Sequence, residues 1–239
     1  MWYGIKWNVG GGAKVEYKLE RVNDRIYVLA IWDAEWNTYT NAYIIEEEAG
    51  LTVVDSCKEG HLVFLQHALN KIGKTADDVK LMLITHGHED HVGGEVLFTK
   101  ARKVIHAEET LPSESSIMGE LLDRGTIGDY DYRRVGYHSP GSVIFFHRPS
   151  RTLFTGDFLC FFGDPLSDGG LVSKGDDLRE AWVEYLQGGG VTDLPVFLDG
   201  LRIMKEYDAD VLCTGHGGVL VGEIDVFLQE LIAIGEKSQ

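Results

Sequence analysis

The sequence is short of cysteine pairs, of positive charge and of long apolar runs. Its three cysteines, Cys57, Cys160 and Cys213, are odd in number and far apart. That spacing offers neither a disulfide framework nor a CxxC pair, so a reducing compartment is expected. Lys and Arg number 22 against 38 Asp and Glu, a formal net charge of -16. So acidic a chain disfavours nucleic acid, whose binding rests on neutralising phosphates. No stretch approaches the roughly 20 apolar residues of a membrane helix. The opening Met1-Trp2-Tyr3-Gly4-Ile5-Lys6-Trp7 lacks the basic region and apolar core of a signal peptide. No repeat, low-complexity tract or linker divides residues 1–239. The expectation is one cytoplasmic domain with a small-molecule substrate, no membrane partner, and self-association as a homo-oligomer left open.

What is present is an alternation of strand-like and helix-like segments. Short β-like runs cover residues 14–19, 25–31, 42–47 and 51–55, with Val22-Asn23-Asp24 and Ala49-Gly50 as turns. Leu62, Val63, Leu65, Leu69 and Ile72 follow helical spacing. Strands are expected again at 103–106, 143–147, 152–155 and 210–213, and helices at 178–186, 194–207 and 222–234. Residues 107–134 are hard to read, because Pro112, Gly119, Gly125 and Gly128 interrupt the pattern. Interleaved strands and helices predict an α/β fold of layered sheets with outer helices.

The densest chemistry follows an apolar run: Leu81-Met82-Leu83-Ile84-Thr85-His86-Gly87-His88-Glu89-Asp90-His91. In an extended segment residues two apart share a side, so His86 and His88 aim at one point. Asp90 alone would suit a helix start, where the dipole favours negative charge. Three histidines and an aspartate within six positions have no such structural reason, since close imidazoles repel when protonated. Imidazole and carboxylate together suit one or two divalent transition ions.

Three later strand ends place His or Asp beside glycine: Tyr137-His138-Ser139-Pro140-Gly141-Ser142, Leu153-Phe154-Thr155-Gly156-Asp157 and Thr214-Gly215-His216-Gly217. Each alone is weak, because loop histidines and turn aspartates are common. With Asp55 at a strand end, however, the five segments in this order resemble the metallo-β-lactamase fold superfamily.

The resemblance implies a four-layer αββα sandwich with a binuclear metal site at one edge of the sheets. It implies that His86, His88 and His138 bind one ion, that Asp90, His91 and His216 bind a second, and that Asp157 bridges them. Asp55 is similar to the aspartate that supports a ligand loop without touching metal. His61, His67, His106 and His147 match no ligand motif and read as surface or supporting residues. Leu-Phe-Thr-Gly-Asp is similar to the glyoxalase II, lactonase and phosphodiesterase branches.

These features imply a hydrolase in which two divalent ions, zinc first with iron or manganese as alternatives, share a water that attacks a small ester, lactone or thioester. Asp90 is the candidate proton shuttle. A phosphodiesterase on a small phosphorylated substrate and a mononuclear iron dioxygenase are the alternatives. The aromatic tract from residue 32 to 39, with Trp32 and Trp36, reads as a loop that either caps the sheet edge or covers the site, and Phe158-Leu159-Cys160-Phe161-Phe162 is a candidate for the pocket wall, with core packing or a dimer face as the other reading.

Overall fold

Alternate residues of the central strands face two different cores, and this explains why those strands read as nearly continuous apolar runs. In a computed structural model that describes residues 3–8, 14–111, 115–163 and 167–238, Leu29, Ile31, Ala42 and Ile44 pack to one side of a sheet. Val28, Ala30, Tyr43 and Ile45 pack to the other. Pro112 lies outside the described residues.

The first sheet holds, in spatial and chain order, β1 (Tyr3–Asn8), β2 (Lys14–Arg21), β3 (Ile26–Asp33), β4 (Thr38–Glu47), β5 (Gly50–Val54), β6 (Val79–Leu83), β7 (Arg102–His106) and β8 (Met118–Leu121). Neighbours are antiparallel through β5, after which β5, β6, β7 and β8 run parallel. The second sheet comprises β9 (Arg124–Ile127), β10 (Tyr130–Arg134), β11 (Val143–His147), β12 (Thr152–Gly156), β13 (Val172–Ser173), β14 (Val211–Thr214) and β15 (Val219–Val221), in the order β13-β15-β14-β12-β11-β10-β9.

Helix α1 (Leu62–Lys71) connects β5 to its parallel neighbour β6 and buries Phe64, Leu65, Ala68 and Leu69 on the first sheet. After the one-turn α2 (Glu89–Val92), three helices, α3 (Asp176–Gln187), α4 (Leu194–Lys205) and α5 (Ile224–Lys237), cover the outer face of the second sheet. Asp193 caps α4 by accepting from the Val196 amide at 3.3 Å. The layers are therefore helix, sheet, sheet, helices: the αββα sandwich.

Two readings of the sequence change. The aromatic tract is mostly strand, because β3 extends to Asp33 and β4 starts at Thr38, leaving only residues 34–37 as a turn. Trp32 pairs across the strands with Tyr39, edge-on at 5.0 Å, which favours extension of both. Residues 107–134 contain β8, β9 and β10, and the chain steps from an edge of one sheet to an edge of the other at Leu122-Asp123. Glycine and charge suit such edges and erase the apolar alternation that marks central strands.

Candidate metal centre

Thr85 to His91 leaves β6 at the edge where β5 and β12 also end, and one carboxylate fixes its path. Asp55, just past β5, adopts φ +57°, a left-handed conformation that Asp tolerates better than most residues. Its Oδ1 accepts from the Thr85 amide at 2.9 Å, and its Oδ2 accepts from Thr85 Oγ1 at 2.8 Å. Oδ2 also lies 2.9 Å from His91 Nδ1, so Nε2 of that ring is turned toward the cluster. His216 is oriented similarly, with Nδ1 3.2 Å from the Tyr39 carbonyl. Gly215 is required beside it: an added Cβ would stand 2.1 Å from Asp157 Oδ1. Gly156 turns the chain at φ +51° before Asp157, where a Cβ would meet Thr85 Oγ1 at 2.5 Å.

A second carboxylate joins the segment from Thr85 to His91 to the loop that carries His138. Glu109 Oε2 accepts from the Gly87 amide at 2.7 Å, while Oε1 accepts from Ser139 Oγ at 2.6 Å and the Gly141 amide at 2.8 Å. The loops carrying His86, His88 and His138 are thus tied to one side chain.

The seven nominated side chains His86, His88, Asp90, His91, His138, Asp157 and His216 converge. His88 Nδ1 is 3.1 Å from His86 Nε2 and 2.9 Å from His138 Nε2. His216 Nε2 is 3.2 Å from Asp90 Oδ2, with His91 Nε2 3.6 Å from that same oxygen. Asp157 stands between the two groups: Oδ2 is 3.9 Å from His86, 3.5 Å from His138 and 3.2 Å from His216, while Oδ1 is 3.2 Å from His91.

The electrostatics divide the cluster. Burial, joined by repulsion from His91, holds the His86 imidazole well below its usual pKa. At His91 burial also pulls downward, but Asp157 and Asp55 outweigh it and hold the ring well above. Burial is likewise outweighed at His216, which Asp157 and then Asp90 push up to about 9. Burial would raise the Asp157 carboxyl, yet His91 and His216 hold it well below the carboxylate range.

Donor chemistry and geometry both fit divalent ions. The buried His91 Nε2, His216 Nε2 and Asp157 Oδ1 have no hydrogen-bond partner among the described residues, although two of them stand 3.2 Å apart. Three imidazoles (His86, His88, His138) and a two-imidazole, one-carboxylate set (Asp90, His91, His216) each bring ligand atoms within 4.8 Å of one another. Ions binding there must displace the protons on His91 and His216, so affinity rises with pH.

His138 and Asp157 border a cavity of about 360 Å³ walled by Trp36, Tyr137, Phe162, Trp182 and Tyr185. Trp36 lies parallel to the His216 ring at 6.3 Å, and Phe162 lies near-parallel to it at 5.8 Å. Phe158 also borders the cavity, while its ring stacks on Phe197 in the outer core. Trp32 does not join this wall; it packs against the core between the sheets. Phe162, from the segment nominated for the pocket wall, does line the cavity, whereas sequence reasoning passed over Glu109, Trp182 and Tyr185. No local signal marks Glu109, whose partners lie 22 and more residues away.

The metallo-beta-lactamase superfamily model matches residues 36–134. A probable metallo-hydrolase, YybB of Bacillus subtilis, is 25% identical over 158 residues, which cover 58% of this chain and 64% of that protein. Among solved structures, a variant of the flavo-diiron protein of Thermotoga maritima superposes with a TM-score of 0.73 at 16% identity, over 92% of this chain and 62% of that one. The chemotaxis sensor ODP of T. denticola gives 0.69 at 15% identity, over 91% of this chain and 94% of that one. The match thus spans less than two thirds of YybB and of the flavo-diiron protein. No helix among the described residues is long and apolar enough to cross a membrane.

Proposed function

We propose that this chain, whose residues 36–134 match the metallo-beta-lactamase superfamily model, is a binuclear metal-dependent hydrolase of small esters, lactones or thioesters with an apolar acyl group. The observation that carries the reading is Asp157, whose two oxygens face both imidazole groups at the mouth of an aromatic cavity. His86, His88 and His138 would hold one ion, Asp90, His91 and His216 the other, and Asp157 would touch both. Two bound divalent ions supply an acidified water as nucleophile and polarise the carbonyl oxygen of the substrate.

The side chains have separable tasks. Asp55 and the Tyr39 carbonyl aim the His91 and His216 rings inward. Trp36, Phe162 and Tyr137 receive the apolar part of the substrate and exclude water from the scissile bond. Asp90, buried beside His216, takes up the proton released by the nucleophile. The described residues that border the cavity include no Lys or Arg, although Lys58 Nζ stands 5.4 Å from the Trp36 ring, and this mostly apolar lining favours a neutral acyl substrate over the phosphodiester alternative.

A second reading, dioxygen handling at a diiron centre, draws support from the likeness to ODP over nearly the full length of both chains. A peroxy diiron species is among the solved states of that sensor. The Asp90, His91 and His216 set has the two-histidine, one-carboxylate composition that suits non-haem iron.

The deciding experiment measures metal identity and content, then turnover on a panel of lactones, thioesters and bis(p-nitrophenyl) phosphate, with oxygen uptake followed in parallel. Two zinc ions per chain with acyl hydrolysis are expected. Two irons with oxygen consumption and no hydrolysis would replace the reading with the second one. In either case His88→Ala should lower bound metal while the far-ultraviolet circular dichroism stays unchanged.

A further inference from the structure

At the opposite edge of the sandwich, the last residues of β4 and β11 meet the turn before β10. His147 closes β11 and is fully buried, yet its Nε2 has no hydrogen-bond partner among the described residues. That nitrogen faces Glu47 Oε1 at 3.5 Å, and the ring is held from behind by Ser150 Oγ at 2.6 Å from Nδ1. Glu47 Oε1 in turn accepts from Tyr130 Oη at 2.7 Å. Asp129, exposed beside them, completes a set whose ligand atoms lie within 4.8 Å of one another, and among the described residues it has one loose ion pair, with Arg148 at 3.7 Å.

We propose that Glu47, Asp129 and His147 form a second, separate site for one transition-metal dication of the zinc class. An imidazole together with two carboxylates selects such an ion over calcium or magnesium, which prefer all-oxygen surroundings. Fixing Nδ1 against Ser150 leaves Nε2 as the ligating nitrogen, the arrangement usual for metal-binding histidine. Burial would raise the Glu47 carboxyl, but His147 and Tyr130 hold it below its ordinary value, so it is ready to bind as a carboxylate. Beside the triad a cavity of about 460 Å³, bordered by Glu47, Asp129 and Tyr130, leaves room for water to complete the coordination.

The position gives the ion a task. Glu47 belongs to the first sheet, and Asp129 and His147 belong to the second or its turn. A bound ion pins the sheets together at the edge away from the Asp157 cluster. Thr40, bridged to His216, is seven residues from Glu47 along β4, or roughly 23 Å at 3.3 Å per residue. The ion therefore belongs to the frame of the sandwich, and the proposal is independent of the hydrolase reading.

Zinc alone is the probe. Equilibrium dialysis of the whole chain against micromolar zinc should give one equivalent beyond the Asp157 cluster. Anomalous diffraction at the zinc edge should locate it between Glu47 and His147. His147→Ala should abolish that equivalent, and Asp129→Asn should weaken it at least tenfold and remove the zinc-dependent rise in Tm. Ester or lactone turnover should stay at the wild-type level in Asp129→Asn. Because Asp129 is exposed, that variant decides the matter even if His147→Ala fails to fold. An unchanged zinc count and Tm response in Asp129→Asn, or no anomalous peak at this edge, overturns the proposal.

Discussion

Asp55 Oδ2 lies 2.9 Å from His91 Nδ1 and 2.8 Å from Thr85 Oγ1, so one carboxylate oxygen fixes both ends of the segment that bears four of the seven candidate ligands. Removing its charge should loosen that segment without emptying the core. Asn tolerates the left-handed backbone at this position, so Asp55→Asn isolates the electrostatics. Metal affinity is expected to fall by about 10–100-fold, the usual effect of losing a partner behind a ligating histidine. Competition with a chromophoric chelator measures it, and undiminished affinity would show that the Asp55 charge does not support the site.

Glu109→Gln tests the clamp between the segment from Thr85 to His91 and the His138 loop. The substitution keeps one acceptor oxygen and replaces the other with a donor, which faces either the Gly87 amide or the Ser139 and Gly141 pair. An unsatisfied group costs about 1–3 kcal/mol when fully buried, and Glu109 is half-buried, so metal release from the three-imidazole set should accelerate by several-fold, up to roughly tenfold. Stopped-flow chelation reads this directly. Equal release rates in both proteins would reduce Glu109 to a surface contact.

The contrast between Asp55 and Glu109 shows what was legible. Thr85 to His91 advertises itself because its ligands are neighbours in sequence, and Asp55, His138, Asp157 and His216 gained meaning from their order along the chain. Glu109 lies in a tract without periodicity, and its role exists only once β7 and β10 have brought two distant loops together. The same tract hid β8 and β9, whose glycines and charges suit sheet edges. At 32–39 the aromatics were visible, but the residues themselves do not distinguish a cross-strand pair such as Trp32 and Tyr39 from a solvent-facing turn residue such as Trp36.

For the proton path, Asp90→Asn is the informative change. An amide oxygen can still serve as ligand, but the group no longer accepts a proton at neutral pH. Turnover should fall about 100-fold or more, the scale of general acid–base contributions, while metal content stays near that of the parent. Full turnover at full metal occupancy would remove Asp90 from proton transfer.

A separate pH effect resides in the buried pair Glu95 and Lys103, 2.6 Å apart, to which Ser116 adds its amide at 3.1 Å and its hydroxyl at 2.8 Å. Burial would raise the Glu95 carboxyl, but Lys103 and then Ser116 outweigh it and hold the folded-state pKa below the ordinary value. The pair therefore contributes full stability above the unfolded carboxyl pKa of about 4.3, and this is lost as pH falls through the depressed folded value. Glu95→Gln should flatten that acid slope and destabilise the protein by about 3 kcal/mol at pH 7, because Lys103 keeps the Ser116 hydroxyl at 2.6 Å but loses its counter-charge in a buried position. Urea titrations between pH 3 and 7 check both parts, and an unchanged slope would locate the acid sensitivity elsewhere.

Trp36 is half exposed and lies parallel to the His216 ring at 6.3 Å, on the turn between β3 and β4, where it meets both the candidate ligands and the cavity. A large ring in that position should grip the apolar acyl group rather than the reacting carbonyl. Aromatic contacts contribute about 0.5–1.5 kcal/mol, so Trp36→Ala should raise KM for bulky acyl substrates by roughly two- to tenfold. KM for acetyl esters should be nearly unaffected, because an acetyl group offers little apolar surface for a ring to cover. If kcat/KM fell equally for both substrates, Trp36 would be supporting His216 instead of selecting the acyl group. If neither changed, the turn would have no part in recognition, and the opposite wall formed by Trp182 and Tyr185 would be left to provide it.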